Sequence, residues 1–139
     1  MTAPIVVGVD QSDTARRAAL TAANLASALG APLHLVMAVS RTRSGGVASG
    51  GDQFHVDWLS TAEQFLDGFV GELRTTPVTR AISVKDPATA MCEEAEKLSA
   101  QMIVVGNRRV QGISRVLGSI ASDVLKHAPC DVLIANTTS

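Results

Sequence analysis

The sequence is poor in the residues on which metal centres, disulfide frameworks and nucleic-acid surfaces depend. Its 139 residues include two cysteines, three histidines, one tryptophan and no tyrosine, and the formal net charge is −1. Cys92 and Cys130 fall in no CxxC or Cys/His spacing, which favours two structural thiols over a disulfide or a metal site. Twelve basic residues are balanced by thirteen acidic ones, which argues against the broad positive surface of a nucleic-acid binder.

Long hydrophobic runs are also missing. No apolar stretch approaches the ~20 residues that a membrane-spanning helix needs, and the N-terminus lacks the charged region and cleavage site of a secretory signal. We therefore expect a cytoplasmic protein that does not interact with membranes. The hydrophobic content of 46% is enough for one substantial core, so we expect a single domain over residues 1–139.

Five short apolar segments alternate with helical patterns along the chain. Residues 4–9 and 102–105 form continuous apolar runs, which are typical of strands buried on both faces of a parallel sheet. Residues 78–84 alternate apolar and polar side chains and predict an edge strand. Further strands are predicted at residues 33–39 and 131–135. Strands that alternate with helices predict an α/β fold with one open, five-stranded parallel sheet and helices on both faces.

Helical periodicity fills the intervals between these strands. The first helix is predicted to begin at Ser12 or Asp13 and to end at Gly30. The second begins at Trp58, and the third opens at Asp86 with proline at its first helical position. The predicted inward faces include Ala15, Ala18, Ala19, Ala22, Leu25, Ala26 and Leu29 in the first helix, Met91, Cys92, Ala95 and Leu98 in the third, and Ala121, Val124, Leu125 and Ala128 in the fourth.

The interval before the second helix breaks this regularity. Residues 40–57 are rich in glycine and serine and show no periodicity, so we expect a flexible loop there. A loop of this length within a compact domain is either functional, for example as a lid, or disordered. The sequence leaves both alternatives open.

The stretch from residue 101 to residue 136 carries the strongest functional signal. It predicts a strand that ends at Gly106, a loop that contains Arg108 and Arg109, a helix that opens at Gly118, and a final strand. Helix N-termini present N–H groups and a partial positive charge, so this arrangement suits an anion such as the phosphates of a nucleotide. Two adjacent arginines beside the helix start support the same interpretation.

The strand order decides whether the first strand contributes to this site. Ligands of open α/β sheets bind outside the carboxyl ends of the strands, at the point where the strand order reverses. If the reversal lies between the first and fourth strands, Asp10 and Gly106 face the same crevice. Two simpler interpretations stay open: Asp10 caps the first helix or forms a turn, and Ser119 is the N-cap of the fourth helix.

Three segments resemble the universal stress protein family: VVGVDQSD at the first strand exit, VVGNRRVQGISRVLGS around the basic loop, and HAPCDVLIA near the end. The resemblance covers essentially the whole chain except the glycine-rich loop. It implies a Rossmann-like sheet of strand order 3-2-1-4-5 and a dimer formed through the last strand. It also implies a loop of the form G-x2-G-x9-G-[ST] that wraps the ribose and phosphates of ATP.

By position, the resemblance assigns the family's adenine-side aspartate to Asp10 and its adenine-contacting strand residue to Ala38. The loop residues that it assigns are Val105, Gly106, Arg108, Gly118, Ser119 and Ile120. We add Gly8 and Val9 from the first strand exit, and Arg109 and Gly112 from the loop, to the predicted nucleotide-binding residues. We predict neither catalytic residues nor a metal site.

The loop departs from the family pattern in two respects. Arg109 stands where the second glycine belongs, and eight residues separate it from Gly118, one fewer than in the family loop. A side chain at this place obstructs the close approach of backbone to phosphate, or forces a φ value that only glycine adopts without strain. Gly112 offers a substitute hinge, because five residues separate it from Gly106 and five from Gly118.

These observations favour a dimeric stress-response module that binds ATP or another adenine nucleotide, with or without Mg²⁺. The alternative is an ATP-independent universal stress protein, in which residues 106–119 are a structural connector and the partner is another protein. An enzyme is disfavoured, because the sequence contains no GxxxxGK[ST] stretch and no obvious base beside the loop.

The final strand, residues 131–136, supports the homodimer independently of the resemblance. Its residues Val132, Leu133, Ile134 and Ala135 carry no charge, and no later element is expected to cover the outer edge of the strand. Two copies that pair this edge antiparallel about a two-fold axis would use up both edges and stop further growth.

Overall fold

The computed structural model describes residues 2–10, 12–39, 51–73, 77–107 and 118–137. Within these residues the chain forms five strands and four helices in the predicted order. The strands are β1 Ile5–Val9, β2 Leu33–Ala38, β3 Val78–Ser83, β4 Met102–Gly106 and β5 Asp131–Ala135. The helices are α1 Asp13–Leu29, α2 Gly51–Leu73, α3 Pro87–Lys97 and α4 Ser119–His127.

The strands form one parallel sheet in the order β3-β2-β1-β4-β5, which confirms the predicted order 3-2-1-4-5. The central strand β1 has Ile5 paired with Leu33 of β2 on one side and with Met102 of β4 on the other. The chain moves outward from β1 to β2 and β3, and then returns to place β4 on the opposite side. The reversal of strand order therefore lies between β1 and β4, where the prediction required it.

Two hydrophobic cores lie on opposite faces of the sheet. On one face, α1 and α2 pack against strand residues such as Val7 and Leu35. On the other face, α3 and α4 pack against residues such as Val36 and Ile103. The predicted helices on both faces are thereby confirmed. The buried side chains of α1 are all alanines, which allow this helix to lie close to the sheet: Ala18, Ala19, Ala22, Ala23 and Ala26.

Local signals in the sequence set the ends of α1 and α3. The Ser12 hydroxyl accepts a hydrogen bond from the Ala15 N–H at 3.2 Å and caps α1. Gly30 ends the helix in the left-handed conformation, with φ of 65°, which glycine adopts without the steric penalty that a side chain would bring. Asp86 caps α3, and Pro87 follows at its first position, where the missing N–H has no cost.

Three predictions about the helices are wrong. Helix α2 begins at Gly51, seven residues before Trp58, so the loop predicted at residues 40–57 does not extend over residues 51–57. Residues 40–50 lie outside the described part of the chain. Leu29 and Leu125 are 45% and 48% exposed, although both were predicted to face inward. Leu29 is the last residue of α1. The short helix α4 buries only Ala121 and Val124, and Leu125 lies beside this narrow buried face.

The two cysteines are free thiols that lie partly buried against the α3 and α4 core. Burial raises the pKa of both Cys92 and Cys130 above the ordinary value of a thiol. A raised pKa keeps a thiol protonated at neutral pH, and the protonated form is a poor nucleophile. Their environment therefore agrees with the structural role that the sequence predicted.

A buried histidine ties β2 to β3 and α3. His34 is 5% exposed; its Nδ1 lies 2.6 Å from the Thr79 hydroxyl and its Nε2 lies 2.8 Å from the Glu94 carboxylate. Because a carboxylate only accepts, Nε2 donates to Glu94, and Nδ1 makes the second hydrogen bond of the ring with the Thr79 hydroxyl. Local spacing along the sequence could not reveal these partners, because they are 45 and 60 residues away.

The cap of α3 allows a test of how charge contributes to stability. The Thr89 hydroxyl and then the Thr89 N–H, which donate to the Asp86 carboxylate at 2.7 and 3.1 Å, hold the pKa of Asp86 below its ordinary value. Asp86→Ala should lower the free energy of unfolding by about 1 kcal/mol at pH 7, the usual effect of a lost N-cap.

This loss should depend on pH. Because folding lowers the pKa of Asp86, its stabilisation is present above the unfolded-state pKa and disappears as the pH falls through the lower folded-state pKa. Urea unfolding of both proteins from pH 7 down to about pH 3 should show the difference shrinking in acid. The control is Asp123→Ala, which removes an exposed carboxylate in the middle of α4. A difference that stays constant with pH would contradict the role of the charged cap.

Candidate functional site

A pocket opens at the carboxyl ends of β1 and β4, where the strand order reverses. All nine predicted site residues that the structure describes line it: Gly8, Val9, Asp10, Ala38, Val105, Gly106, Gly118, Ser119 and Ile120. The predicted residues Arg108, Arg109 and Gly112 lie outside the described part of the chain. The other lining residues come from the starts of α1 and α3 and from β2 and β4: Ser12, Thr14, Ala15, Ala18, Val36, Pro87, Met91 and Val104.

Asp10 forms a turn at the exposed mouth of this pocket. Its Oδ1 accepts a hydrogen bond from the Ser12 N–H at 2.7 Å. Ser12, rather than Asp10, is the N-cap of α1, so the capping interpretation of Asp10 is wrong and the turn interpretation is correct. The bond to Ser12 fixes the orientation of the carboxylate, which still lies exposed among the lining residues.

The start of α4 lacks a side-chain cap. The first intrahelical hydrogen bond runs from the Ser122 N–H to the Gly118 carbonyl at 3.0 Å, which makes Gly118 the N-cap and Ser119 the first helical residue. The interpretation of Ser119 as the N-cap is therefore wrong. The first N–H groups of an α-helix have no partner inside the helix, and glycine supplies no side chain to satisfy them. These N–H groups lie at the wall of the pocket that Gly118, Ser119 and Ile120 form.

A second part of the pocket lining is apolar. Val36 and Ala38 of β2 and Pro87 and Met91 of α3 form it, and Val36 and Met91 are 2% and 3% exposed. The hydroxyl-bearing residues Ser12, Thr14 and Ser119 come instead from the helix starts beside β1 and β4. The pocket therefore suits a ligand that has an apolar, ring-like part and an anionic part.

The sequence did not single out these additional lining residues as functional. Ala15, Ala18 and Met91 were predicted only as inward-facing helix residues, because helical periodicity identifies a buried face without telling core from pocket. Thr14 is the second residue of α1 and Pro87 is the first residue of α3, and a place in the first turn of a helix has a purely local explanation. Only the strand order brings these helix starts to one crevice.

Two glycines of the site are explained by packing within the protein. A Cβ atom on Gly8 would lie 2.7 Å from the Met91 Sδ. A Cβ atom on Gly106 would lie 2.9 Å from the Thr137 Cγ2 and 3.0 Å from the Thr14 Cγ2. Neither glycine has the positive φ that would itself demand glycine; among the described residues only Gly30 and Ser99 have positive φ. Close contact with neighbouring side chains thus accounts for both glycines without a ligand.

Residues 1–136 match the family model described as the universal stress protein family. The chain belongs to this family. A universal stress protein of Methanocaldococcus jannaschii is 30% identical, over 94% of this chain and 79% of the relative. No helix in the described ranges is long and apolar enough to cross a membrane. No group of three or more histidine, cysteine or acidic side chains suited to a metal ion occurs in that part of the chain.

Solved structures of universal stress proteins include two with bound nucleotides. One was determined in complex with cAMP; it is 25% identical, has a TM-score of 0.71, and is matched over 99% of this chain and 98% of its own. A second, from Archaeoglobus fulgidus in complex with dAMP, is 26% identical with a TM-score of 0.62, over 95% and 96% of the two chains. A third, also from Archaeoglobus fulgidus, is 28% identical with a TM-score of 0.71, over 96% and 93%.

The packing of the two site glycines leads to an ordered set of stabilities. Gly106→Ala should lower the free energy of unfolding by about 1–3 kcal/mol, because the new methyl group would press on two β-branched threonines. Gly8→Ala should cost less, because the flexible Met91 side chain can move to another rotamer.

Gly68→Ala is the matched control, since a Cβ atom there meets nothing within 4 Å on the exposed side of α2. It should stabilise the protein by about 0.5–1 kcal/mol, the usual gain from replacing a helical glycine. Urea unfolding of the three variants measures the order. A Gly106→Ala protein as stable as the wild type would mean that Thr14 and Thr137 yield without cost.

Proposed function

We propose that this universal stress protein is a binding module for an adenine nucleotide, ATP or a relative of it. The observation that carries the proposal is the uncapped start of α4, which borders a pocket whose lining is partly apolar. The complexes of universal stress proteins with cAMP and dAMP support the choice of adenine nucleotide. The bound state would report stress or energy supply to a protein partner in the cytoplasm.

The chemistry of the lining residues suggests how the nucleotide is oriented. The N–H groups at the start of α4 and the Ser119 hydroxyl would donate to phosphate oxygens, which the helix dipole also favours. The adenine ring would lie in the apolar part, against Ala38 and Met91. The exposed Asp10 carboxylate at the mouth would accept a hydrogen bond from the nucleoside.

We propose binding rather than catalysis as the main activity of this pocket. Among the lining residues that the structure describes, Asp10 is the only titratable one. A hydrolase needs a positioned base for the attacking water and groups that stabilise the developing charge. With a single carboxylate in the described lining, Mg²⁺ would be held chiefly by the phosphates and water.

One pair of observations favours the ATP-independent alternative. Arg109 replaces a glycine of the family loop, and the loop is one residue shorter. In addition, Gly106 would be retained for packing against Thr14 and Thr137 even without a ligand. The start of α4 separates the two hypotheses, because Gly118 has an ordinary extended conformation with φ of −69° and its backbone does not require glycine.

Substitutions at Gly118 test nucleotide binding directly. Aspartate is a good N-cap, so Gly118→Asp should change the free energy of unfolding by only a few tenths of a kcal/mol. Its carboxylate should occupy the N–H groups and repel phosphate, so affinity for adenine nucleotides should fall tenfold or more, which corresponds to ~1.4 kcal/mol. Isothermal titration calorimetry with ATP, AMP and cAMP measures the affinities.

Gly118→Ser is the matched control for this charge. Serine caps a helix as aspartate does but carries no charge, so its effect on nucleotide affinity should be smaller than that of aspartate. If the wild-type protein binds none of the three nucleotides, the proposal is wrong and the ATP-independent alternative is favoured. Equal affinities of the wild type and Gly118→Asp would remove the start of α4 from the site.

We also propose that the protein is a homodimer through β5. This strand lies at one edge of the sheet. The Ala135 carbonyl accepts the Asn107 N–H at 3.0 Å, so Ala135 directs its backbone groups toward β4. Because backbone groups alternate in direction along a strand, those of Val132 and Ile134 point to the open edge. Pairing with the same strand of a second copy would satisfy them.

Proline substitution tests the dimer. Ile134→Pro removes an N–H group from the outer edge of β5 and should yield monomers, measured by size-exclusion chromatography with light scattering. Ile82→Pro is the control on the opposite edge: the Ser83 carbonyl accepts the Val39 N–H, so Ile82 of β3 also directs its N–H outward. That variant should remain dimeric. A monomeric wild type, or loss of the dimer in Ile82→Pro alone, would contradict the proposal.

A further inference from the structure

A buried polar pair joins the end of β4 to the segment that follows β5. Asn107 and Thr137 are 8% and 6% exposed. The Thr137 N–H donates to the Asn107 Oδ1 at 2.9 Å, and the Thr137 hydroxyl donates to the Asn107 backbone carbonyl. The Asn107 N–H in turn donates to the Ala135 carbonyl at 3.0 Å. We call this pair, Asn107 and Thr137, the clamp.

The clamp bears on the nucleotide pocket through Gly106. Gly106 lines the pocket and directly precedes Asn107. The Thr137 and Thr14 methyl groups occupy the space beside it, at 2.9 and 3.0 Å from the position of a Cβ atom. Thr14 also lines the pocket, whereas Thr137 does not. Thr137 therefore packs against the part of the pocket wall that Gly106 forms, on the side away from the pocket lining.

The bonding of the clamp fits a positioning role better than a purely stabilising one. A buried hydrogen bond adds only about 0.5–1.5 kcal/mol net, and apolar residues of the same shape could fill this site at similar stability. Directional bonds, however, fix one orientation of the chain where it leaves β4. The Arg17 guanidinium adds a tether from α1 by donating to the Thr137 carbonyl at 3.4 Å.

We propose that Thr137 is a positioning residue for the nucleotide pocket, and that the clamp couples nucleotide occupancy to the segment after β5. The proposal rests on the nucleotide binding proposed above. If Thr137 holds Gly106 in place before binding, the nucleotide does not have to supply the free energy for ordering this residue. Coupling between two sites is reciprocal. If the formed clamp raises nucleotide affinity by a given factor, a bound nucleotide must favour the formed clamp over the open one by the same factor.

The coupling would reach the proposed dimer edge. Thr137 stands two residues after Ala135, the last residue of β5. A nucleotide that tightens the clamp would order the chain at the end of the strand that we propose pairs with a second copy. Nucleotide binding would therefore be signalled by reduced mobility at the end of β5, and the sheet itself would not move.

Two variants of Thr137 separate the hydroxyl group from the shape of the side chain. Thr137→Val keeps the shape and removes the hydroxyl donor to Asn107, and it should weaken ATP affinity roughly fivefold. Thr137→Ser keeps the donor and removes the methyl group, so it should retain affinity within about twofold. Calorimetric titration with ATP measures both, and urea unfolding measures the stability of each variant.

Thr79→Val is the control for a structural role alone. It removes the hydroxyl partner of the buried His34 and lies outside the nucleotide pocket. It should lower stability by an amount comparable to Thr137→Val and leave ATP affinity unchanged. If Thr137→Val also lowers stability without changing affinity, Thr137 is a structural residue and the inference is overturned.

Hydrogen exchange of the wild-type protein tests the reciprocal effect without a mutation. Saturating ATP should slow amide exchange of Thr137 several-fold, by the factor measured for affinity in Thr137→Val. Unchanged exchange at Thr137 with bound ATP would overturn the inference while nucleotide binding itself stands. Wild-type protein that binds no adenine nucleotide would overturn the proposed function and this inference together.

Discussion

The pairing of β4 with β1 is the interaction on which both the fold and the site depend. It places β4 on the side of β1 opposite to β2, with Ile5 in register with Leu33 on one side and with Met102 on the other. The helices that follow β1 and β4 then leave the sheet toward opposite faces, α1 into one core and α4 into the other. Their N-termini separate at the carboxyl edge, and the pocket is the gap between them.

Features with a local or fully buried origin could be predicted from the sequence. Strands buried on both faces exclude polar residues, and Ser12, Gly30 and Asp86 act on groups within a few residues. The start of α2 at Gly51 was not predicted, because the glycine- and serine-rich residues 40–50 directly before it carry no periodicity and hide where the helical pattern begins. Partners distant in sequence escape any local pattern, as for Asn107 and Thr137, which are 30 residues apart.

The three glycines of the pocket do not support a bound ligand equally. Sequence patterns treat Gly8, Gly106 and Gly118 alike, yet the first two are explained by side chains of the protein itself. Gly118 has a conformation that any residue adopts, at a position where serine or aspartate would stabilise the helix. A glycine that forgoes a cap leaves N–H groups to be satisfied from outside the helix. Gly118 is therefore the stronger argument for an anion.

Charge bears on which nucleotides would suit the proposed site. The described lining contains the positive end of α4 and a single carboxylate, Asp10, and a helix N-terminus is equivalent to about half an elementary charge. ATP carries several negative charges, whereas cAMP carries one and dAMP at most two, each on a single phosphate. Arg109 adds a cation to the loop but removes the glycine that would let backbone approach the phosphates. With arginine in place of glycine, the loop gains a charge that acts over a distance and loses close contacts between its backbone and the phosphates. A ligand with one phosphate needs fewer such contacts than ATP does.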